Sequence, residues 1–544
     1  MRSTMQDVQL SISSILRYGS MAHARSEVLT YTGSGFRRAT FAEVAGRAAQ
    51  LAHGLRELLG VTGDQRVGTF MWNTQEHVEA YLAIPSMGAV VHTINIRLFP
   101  DQVAYIIEHA DDRVVIVDDT LVPLLSKLAD RLPTVEHVVV VGDLAAADTG
   151  AFAAAGKSVL GYEELLAGQP TTFDWPEVDE RDAAAMCYTS GTTGNPKGVA
   201  YSHRSVYLHS LEVCSPTGFT LDAAERTLEI VPMFHAMAWG LPYGCFLSGA
   251  AMVMPGRFLQ AAPLITMIRE AGVTFAGAVP TIWADVLAQL DRTGGVVPTL
   301  RRAVVGGSAC PPAMIAAFDE RYGVQIIHAW GMTELSPLGS VAHPPAGSEG
   351  EQRFRYRCSQ GRFPALVQAR LIGADGEQLP HDGEAVGELE VRGPWVTASY
   401  YRDDDPEKFR DGWLRTGDVG TITPDGYLNL TDREKDVIKS GGEWISSVEL
   451  ENHLMAHPAI AEATVVGVPD ERWSERPLAA VVWREDPVPF EQLCAFLSGR
   501  IAKWQLPERW TALDAVPKTS VGKFDKKEVR RRYAKGDYEV TQLD

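Results

Sequence analysis

Cysteine is scarce in this chain and is never clustered. Six occur among 544 residues, at 187, 214, 245, 310, 358 and 494. No C-x-x-C pair exists, which excludes thioredoxin-like redox chemistry and zinc ribbons and fits scattered reduced thiols. H-E-x-x-H is also missing, so no built-in zinc site is expected. Positive charge is in deficit, with 50 Lys and Arg against 69 Asp and Glu and a net charge of −19. A general nucleic-acid binder needs a basic face for phosphates, so that class is excluded. No stretch reaches the ~18 apolar residues of a membrane span. The start, MRSTMQDVQLSISSIL, has no uninterrupted apolar region of the kind a secretory signal carries. No transmembrane segment and a cytoplasmic location are therefore the expectation.

What is present is an ordinary globular composition, 45% hydrophobic and 22% charged. The length suits three or four domain-sized units. Residues 40–60 predict a helix. Phe41, Val44, Ala45, Ala48, Leu51, Ala52, Leu55 and Leu58 recur at helical spacing, Thr40 and Glu43 form a capping box, and Gly60 stops it. RVGTFMW, EHVEAYLAIPSMG and AVVHTIN then read as strand, helix and strand. The alternation continues through DQVAYIIEHA, RVVIVDD, RRAVVGG, PPAMIAAFDERYG and QIIHAWG. Strands alternating with helices of ten to fifteen residues predict an α/β fold with largely parallel sheets. From about 365 the texture turns to short strands with Gly and Pro turns, a β-rich subdomain spanning 365–434. Beyond TDREKDVIKSGGEW lies a smaller α+β unit, which places the domains at 1–434 and 435–544. The smaller unit ends in a basic helix from Lys523, in which Lys526, Lys527 and Arg530 to Arg532 read as a solvated face.

The stretch YTSGTTGNPKG at 188–198 sets three glycines, four Ser or Thr hydroxyls and one lysine within a few residues. Glycine permits positive φ and close backbone approach, successive N–H groups in such turns cradle anions, and lysine adds a point charge. A polyphosphate is the ligand that uses all three. The pattern is not the Walker A loop, because Pro196 precedes Lys197 and Gly198 follows it. An ordinary polar surface loop is the alternative that composition alone leaves open. Four further segments accompany it: VPMFHAMAWG (231–240), HAWGMTELSP (328–337), GWLRTGDVG (412–420) with TDREKD (431–436), and PKTSVGKFDKK (517–527).

Together these five motifs resemble the adenylate-forming superfamily of acyl-CoA synthetases, luciferases and peptide-synthetase adenylation domains. The resemblance covers nearly the whole chain and leans toward medium- and long-chain fatty acyl-CoA synthetases. It implies ATP, Mg²⁺ and CoA as cofactors and co-substrates. Attack of a carboxylate on the α-phosphate makes an acyl-adenylate, and a thiol completes the transfer. By this likeness Thr189, Ser190, Gly191, Thr192, Thr193, Gly194 and Lys197 hold the β- and γ-phosphates, and Thr189 and Glu334 hold Mg²⁺. Thr333 touches the α-phosphate, and Trp330, flanked by His328, Ala329, Gly331 and Met332, offers an aromatic face beside adenine. Asp418 accepts from the ribose hydroxyls with Arg433 alongside, while Gly307 and Ser308 after a strand allow close approach to the nucleotide.

His235 is implied at the junction of acyl carboxylate and thiol, and Trp239 as a gate over an acyl tunnel. A tryptophan buried simply as core is the competing reading of Trp239. The small unit is expected to rotate about a hinge near Lys435, with Lys523 reaching the adenylation site in one pose. In the other pose Lys439, Gly441, Gly442, Glu443 and Trp444 line a CoA channel. VPMFHAMAWGLPYG contains no carboxylate to pair a substrate ammonium, and an unpaired buried charge is costly, so an amino-acid substrate is not expected. The reading is thus a fatty acid–CoA ligase. A ligase for a short sulfur-containing or aryl acid, or a carrier-protein loading enzyme, stands as the alternative. The branch includes homodimers, so self-association is an expectation.

Overall fold

The computed structural model describes residues 1–543 except 2, 190–194, 374, 434, 441–442 and 521, with backbone only for 443 and 444. Three sheets organise the chain. The first runs in the order Ser158–Gly161, His137–Val141, Asp112–Asp118, Arg66–Phe70, Val90–Thr93, Ala183–Tyr188 and Gly198–Ser202. All its pairings are parallel except the last, a hairpin whose connection is the phosphate-loop stretch. The second sheet has a parallel centre of Ala251–Met254, Arg226–Leu228, Phe275–Ala278, Arg302–Val305 and Gln325–Gly331. Beyond Gln325–Gly331 the pairing turns antiparallel and continues into Tyr427–Arg433, Trp413–Ile422, Gly387–Arg392 and Gln368–Ile372. The β-rich strands therefore extend one sheet rather than form one of their own. A third, six-stranded sheet is built from residues 438–542 around the long hairpin Ile460–Asp470 and Ser474–Trp483. The protein is a mixed α/β fold with a large N-terminal and a small C-terminal unit.

The expected helix at 40–60 forms as Phe41–His53, continued by a wider turn at Gly54–Leu58. Glu43 N donates to Thr40 Oγ1 at 3.2 Å and Thr40 N to Glu43 Oε2 at 2.7 Å, so the capping box closes. Phe41, Val44, Leu51 and Leu55 are fully buried, each contributing roughly 1.5–3 kcal/mol of apolar burial. Leu58 departs from the expectation and is exposed, because the wide turn rotates it off the stripe. Gly60 takes φ +65° and ends the element. Helix Gln75–Ser86 is buried along its whole length, polar residues included, because it lies among the helices and strands of both large sheets.

The terminal helix differs from the sequence reading. It begins at Lys526, not Lys523, with Asp525 as its cap accepting from Glu528 N at 3.1 Å. The preceding loop turns at Gly522, φ +82°, and a bridge between Lys518 and Phe524 keeps it non-helical. Nor is its basic run all solvated. Lys526 is part-buried against Glu451 at 2.9 Å, and Arg530 pairs with Asp436 at 2.6 Å.

Candidate functional site

The site forms where the parallel strands of the second sheet end and the hairpin of the first sheet turns. Thr189 N donates to the Lys197 carbonyl at 2.9 Å, and Lys197 N donates back to Thr189 Oγ1 at 3.1 Å. These bonds close the neck of the phosphate loop. Its centre, Ser190, Gly191, Thr192, Thr193 and Gly194, lies outside the described residues. Below the neck, Tyr188 OH and His109 Nδ1 are 2.8 Å apart, anchoring the hairpin to a neighbouring helix. Lys197 Nζ sits 2.6 Å from Asp405 and 3.4 Å from Asp403, over the ring of Tyr400.

Strand Gln325–Gly331 delivers the next group. His328 is buried with both ring nitrogens engaged, Nε2 by Cys310 N and Nδ1 by the Cys358 carbonyl, each at 3.3 Å. Burial lowers its pKa to about 4, so it is a neutral strut. Trp330 Nε1 donates to Asp418 Oδ2 at 2.7 Å, and Arg433 Nε lies 3.2 Å from Asp418 Oδ1. A carboxylate oxygen accepts more than one hydrogen bond, so this brace aims Asp418 without exhausting it. After the strand, the Thr333 carbonyl accepts from Tyr201 OH at 2.6 Å, and Glu334 Oε1 accepts from Tyr400 OH at 2.7 Å. Thr189 and Glu334 line one cavity of about 350 Å³, a hydroxyl and a carboxylate of the kind a hard divalent cation takes. Among the described residues no cluster of three or more His, Cys, Asp or Glu is placed to hold a metal ion.

Residues 236–240 form a left-handed turn with φ from +44° to +76°, four of them not glycine. Such backbone costs roughly 1–2 kcal/mol per residue. It places His235 and Trp239 on the same cavity. A Cβ on Gly277 or Gly306 would stand 3.5 or 3.3 Å from the Trp239 indole, so the ring lies directly over both strand ends. Burial, with Lys523 adding, pushes His235 down to about 3, which leaves a neutral imidazole.

Lys523 enters this cavity from the third sheet's unit. Gly307, φ +83°, makes room, since a Cβ there would lie 3.3 Å from Lys523 Cε. Thr281 Oγ1 donates to the Gly522 carbonyl at 3.2 Å and Asn95 Nδ2 to Ser520 Oγ at 3.3 Å, docking the loop. Burial, then Arg433, lower Lys523 to about 8 against the pull of Asp418 and Glu334. A second cleft of about 500 Å³ carries Ser308, His328, Asp418, Arg433 and Lys435 between the two domains. Ala329, Gly331 and Met332 line the first cavity.

In the third sheet the backbone of Lys439 pairs with that of Trp444 and Ser440 with Glu443; the CoA-channel expectation for this segment belongs to the other pose. Gly441 and Gly442 lie outside the described residues. Tyr201, Tyr400, Asp405 and Phe219 line or brace the site and were not singled out from sequence. Only the acidic run of YYRDDDPEK held a signal, and its partner lies some two hundred residues away.

Lys523, Glu334, Thr189 and Lys197 thus line one cavity. The AMP-binding enzyme family model matches residues 20–401, and the AMP-binding enzyme C-terminal domain model matches 449–523. The chain belongs to the AMP-binding enzyme family, and within it is an AMP-forming acid–thiol ligase, an ATP- and CoA-using acyl-CoA synthetase. It is 44% identical to a 3-methylmercaptopropionyl-CoA ligase of Ruegeria lacuscaerulensis, over 98% of this chain and 99% of that protein. It is 43% identical to a long-chain-fatty-acid–CoA ligase of Thermus thermophilus, over 98% and 97%. A medium-chain-fatty-acid–CoA ligase of Ectopseudomonas oleovorans matches at 41%, over 98% of each. The crystal structure of an anthranilate CoA ligase with anthranoyl-AMP superposes with TM-score 0.88 at 27% identity, over 99% and 100% of the two chains. Among the described residues no helix is long and apolar enough to cross a membrane.

Proposed function

We propose that the protein joins an aliphatic carboxylic acid whose chain carries no charge, a fatty or thioether acid, to CoA in two half-reactions at this site. Lys197 and the phosphate loop hold the β- and γ-phosphates. Asp418 takes the ribose hydroxyls, and Trp330 packs beside adenine. Thr189 and Glu334 would hold Mg²⁺, which when bound neutralises phosphate charge. The acid's carboxylate oxygen attacks the α-phosphorus, the bond to the bridging oxygen of pyrophosphate breaks, and acyl-AMP forms. Thr333 donates to the α-phosphate, while Lys523 stabilises charge converging from carboxylate and phosphate without a proton transfer. The thiol sulfur of CoA then attacks the acyl carbon beside neutral His235, the carbon–oxygen bond to AMP breaks, and AMP leaves as the thiol proton passes to solvent. Domains 1–434 and 435–544 alternate about Lys435 between the steps, bringing 439–444 to the CoA channel in place of Lys523, and Trp239 gates the acyl end.

One observation carries the reading: Lys523, more than three hundred residues from Thr189, shares a cavity with Thr189, Glu334 and His235. That an amino acid is not the substrate rests on Ala236 and Trp239 of the segment VPMFHAMAWG, which line the cavity and offer no carboxylate to pair a substrate ammonium. Incubation with ATP, Mg²⁺, CoA and a panel of aliphatic, aromatic and amino acids should release pyrophosphate and form thioester with the aliphatic acids. Pyrophosphate without CoA thioester would favour a carrier protein as acceptor. No pyrophosphate with any acid would overturn the reading.

A further inference from the structure

We infer that Thr281 and Asn95 are positioning residues: they dock the loop that carries Lys523, and so divide each turnover between its two half-reactions. The inference rests on the proposed two-step reading and adds to it what holds the adenylation pose.

The loop is a self-bonded tip of the small domain. Thr519 N donates to the Lys523 carbonyl at 2.7 Å, Gly522 N to the Thr519 carbonyl at 2.9 Å, and Asp525 N to the Pro517 carbonyl at 2.8 Å. Lys523 N donates to Thr519 Oγ1 at 3.2 Å. An ion pair of Lys518 with Glu462 at 2.7 Å ties the tip to its own domain. A tip bound to itself in this way moves as one body, so whatever fixes its position also fixes Lys523.

Among the described residues, two side-chain hydrogen bonds join this tip to the large domain. Thr281 stands in the first turn of helix Pro280–Thr293, which follows a strand of the second sheet, and its hydroxyl meets the Gly522 carbonyl at 3.2 Å. Asn95 follows strand Val90–Thr93 of the first sheet and is buried. Its Oδ1 accepts from Arg97 N at 3.0 Å, which aims Nδ2 at Ser520 Oγ, 3.3 Å away. The approach is close, since a Cβ on Gly522 would stand 3.4 Å from Val279 Cγ2 and 3.5 Å from Thr281 Oγ1. Both bonds are neutral. Each biases docking by about two- to tenfold, and neither strands a buried charge when it breaks. That strength suits a pose that must form and release in every turnover. The ion pairs of Lys526 with Glu451 and Arg530 with Asp436 lie within the small domain, so its rotation leaves them intact.

The test separates the half-reactions in Thr281→Val and Ser520→Ala. Each removes one bond without touching Lys523, and the second spares the contact of Asn95 with Arg97. Adenylation is read as ATP–pyrophosphate exchange without CoA, using the acid that the wild type turns over fastest. The second step is read as thioester formation from that acid's synthetic acyl-adenylate and CoA. Adenylation kcat/KM should fall about two- to tenfold in each variant, and further in the double variant. Thioester formation should match or exceed the wild-type rate. Thr281→Ser, which keeps the hydroxyl, should adenylate like the wild type. A general loss of structure lowers both steps and the melting temperature together, and does not produce this split. Equal losses in both half-reactions, or unchanged adenylation in the double variant, would overturn the role of the two residues while leaving the ligase reading intact. A wild type that shows no exchange with any acid would sink the ligase reading, and the inference with it.

Discussion

Lys523 shows how burial sets the function of a single side chain. Its ammonium is held near a pKa of about 8 by burial and by Arg433, while Asp418 and Glu334 keep it from falling further. Below that pH it is charged, and above it the charge needed over the α-phosphate is lost. The kcat/KM for adenylation should therefore fall as pH rises through about 8, since that parameter reports the free enzyme. Lys523→Arg should carry no such limb, whatever its rate. Lys523→Ala should slow adenylation by roughly 10² to 10³, the scale of one preorganised electrostatic group. It should spare conversion of synthetic acyl-adenylate and CoA to thioester, and equal losses in both steps would refute the assignment. The second residue-scale prediction concerns Asp405, which holds the lysine meant for phosphate. A partly exposed pair of this kind is worth ~0.2–1 kcal/mol. Asp405→Asn should accordingly lower the KM for ATP by about 1.4- to fivefold, and a rise would mean that Asp405 positions Lys197 instead of competing for it.

The terminal helix and the strand-to-helix corner at 446–451 make one latch. Ser447 N donates to Asp432 Oδ2 at 2.8 Å, the Ser447 hydroxyl donates to the same oxygen, and Lys526 pairs with Glu451. Glu451 also accepts from Val465 N at 2.8 Å. From sequence Lys526 was indistinguishable from its basic neighbours, because periodicity marks apolar faces and carries no mark for a buried ion pair. Lys526→Ala leaves a buried carboxylate unpaired, a loss of ~3–5 kcal/mol. The C-terminal domain's unfolding transition, followed by calorimetry, should drop by more than ~10 °C, given about 4–8 °C per kcal/mol for a unit of that size. Glu451→Gln added to that variant should recover much of the loss, and an unchanged transition would restore the solvated reading. The helix at 41–53 was legible for the converse reason: its capping box and apolar spacing are local, and local patterns survive into the fold.

For the whole molecule, the proposed alternation between half-reactions would turn on the connection at Lys435. Asp436 N and Val437 N both donate to the Arg433 carbonyl, and the Lys435 carbonyl accepts from Arg530 at 3.3 Å, so the segment is a tight turn with its own contacts. Proline there fixes φ near −65° and should trap one pose. In Lys435→Pro, acyl-adenylate formation should outlast thioester formation by at least tenfold, and equal losses would argue against a hinge here. Much of this protein's identity was readable in order: the α/β alternation, the glycine and hydroxyl loop, and the motifs carrying Glu334, Asp418 and Lys523. Each of those depends on residue type at short spacing, which a chain records directly. What only the tertiary structure decided was the company these residues keep. Tyr400 on Glu334, Asp405 on Lys197 and Trp330 on Asp418 are contacts across tens to hundreds of positions. No spacing rule encodes them, because they arise from how separate strand ends meet.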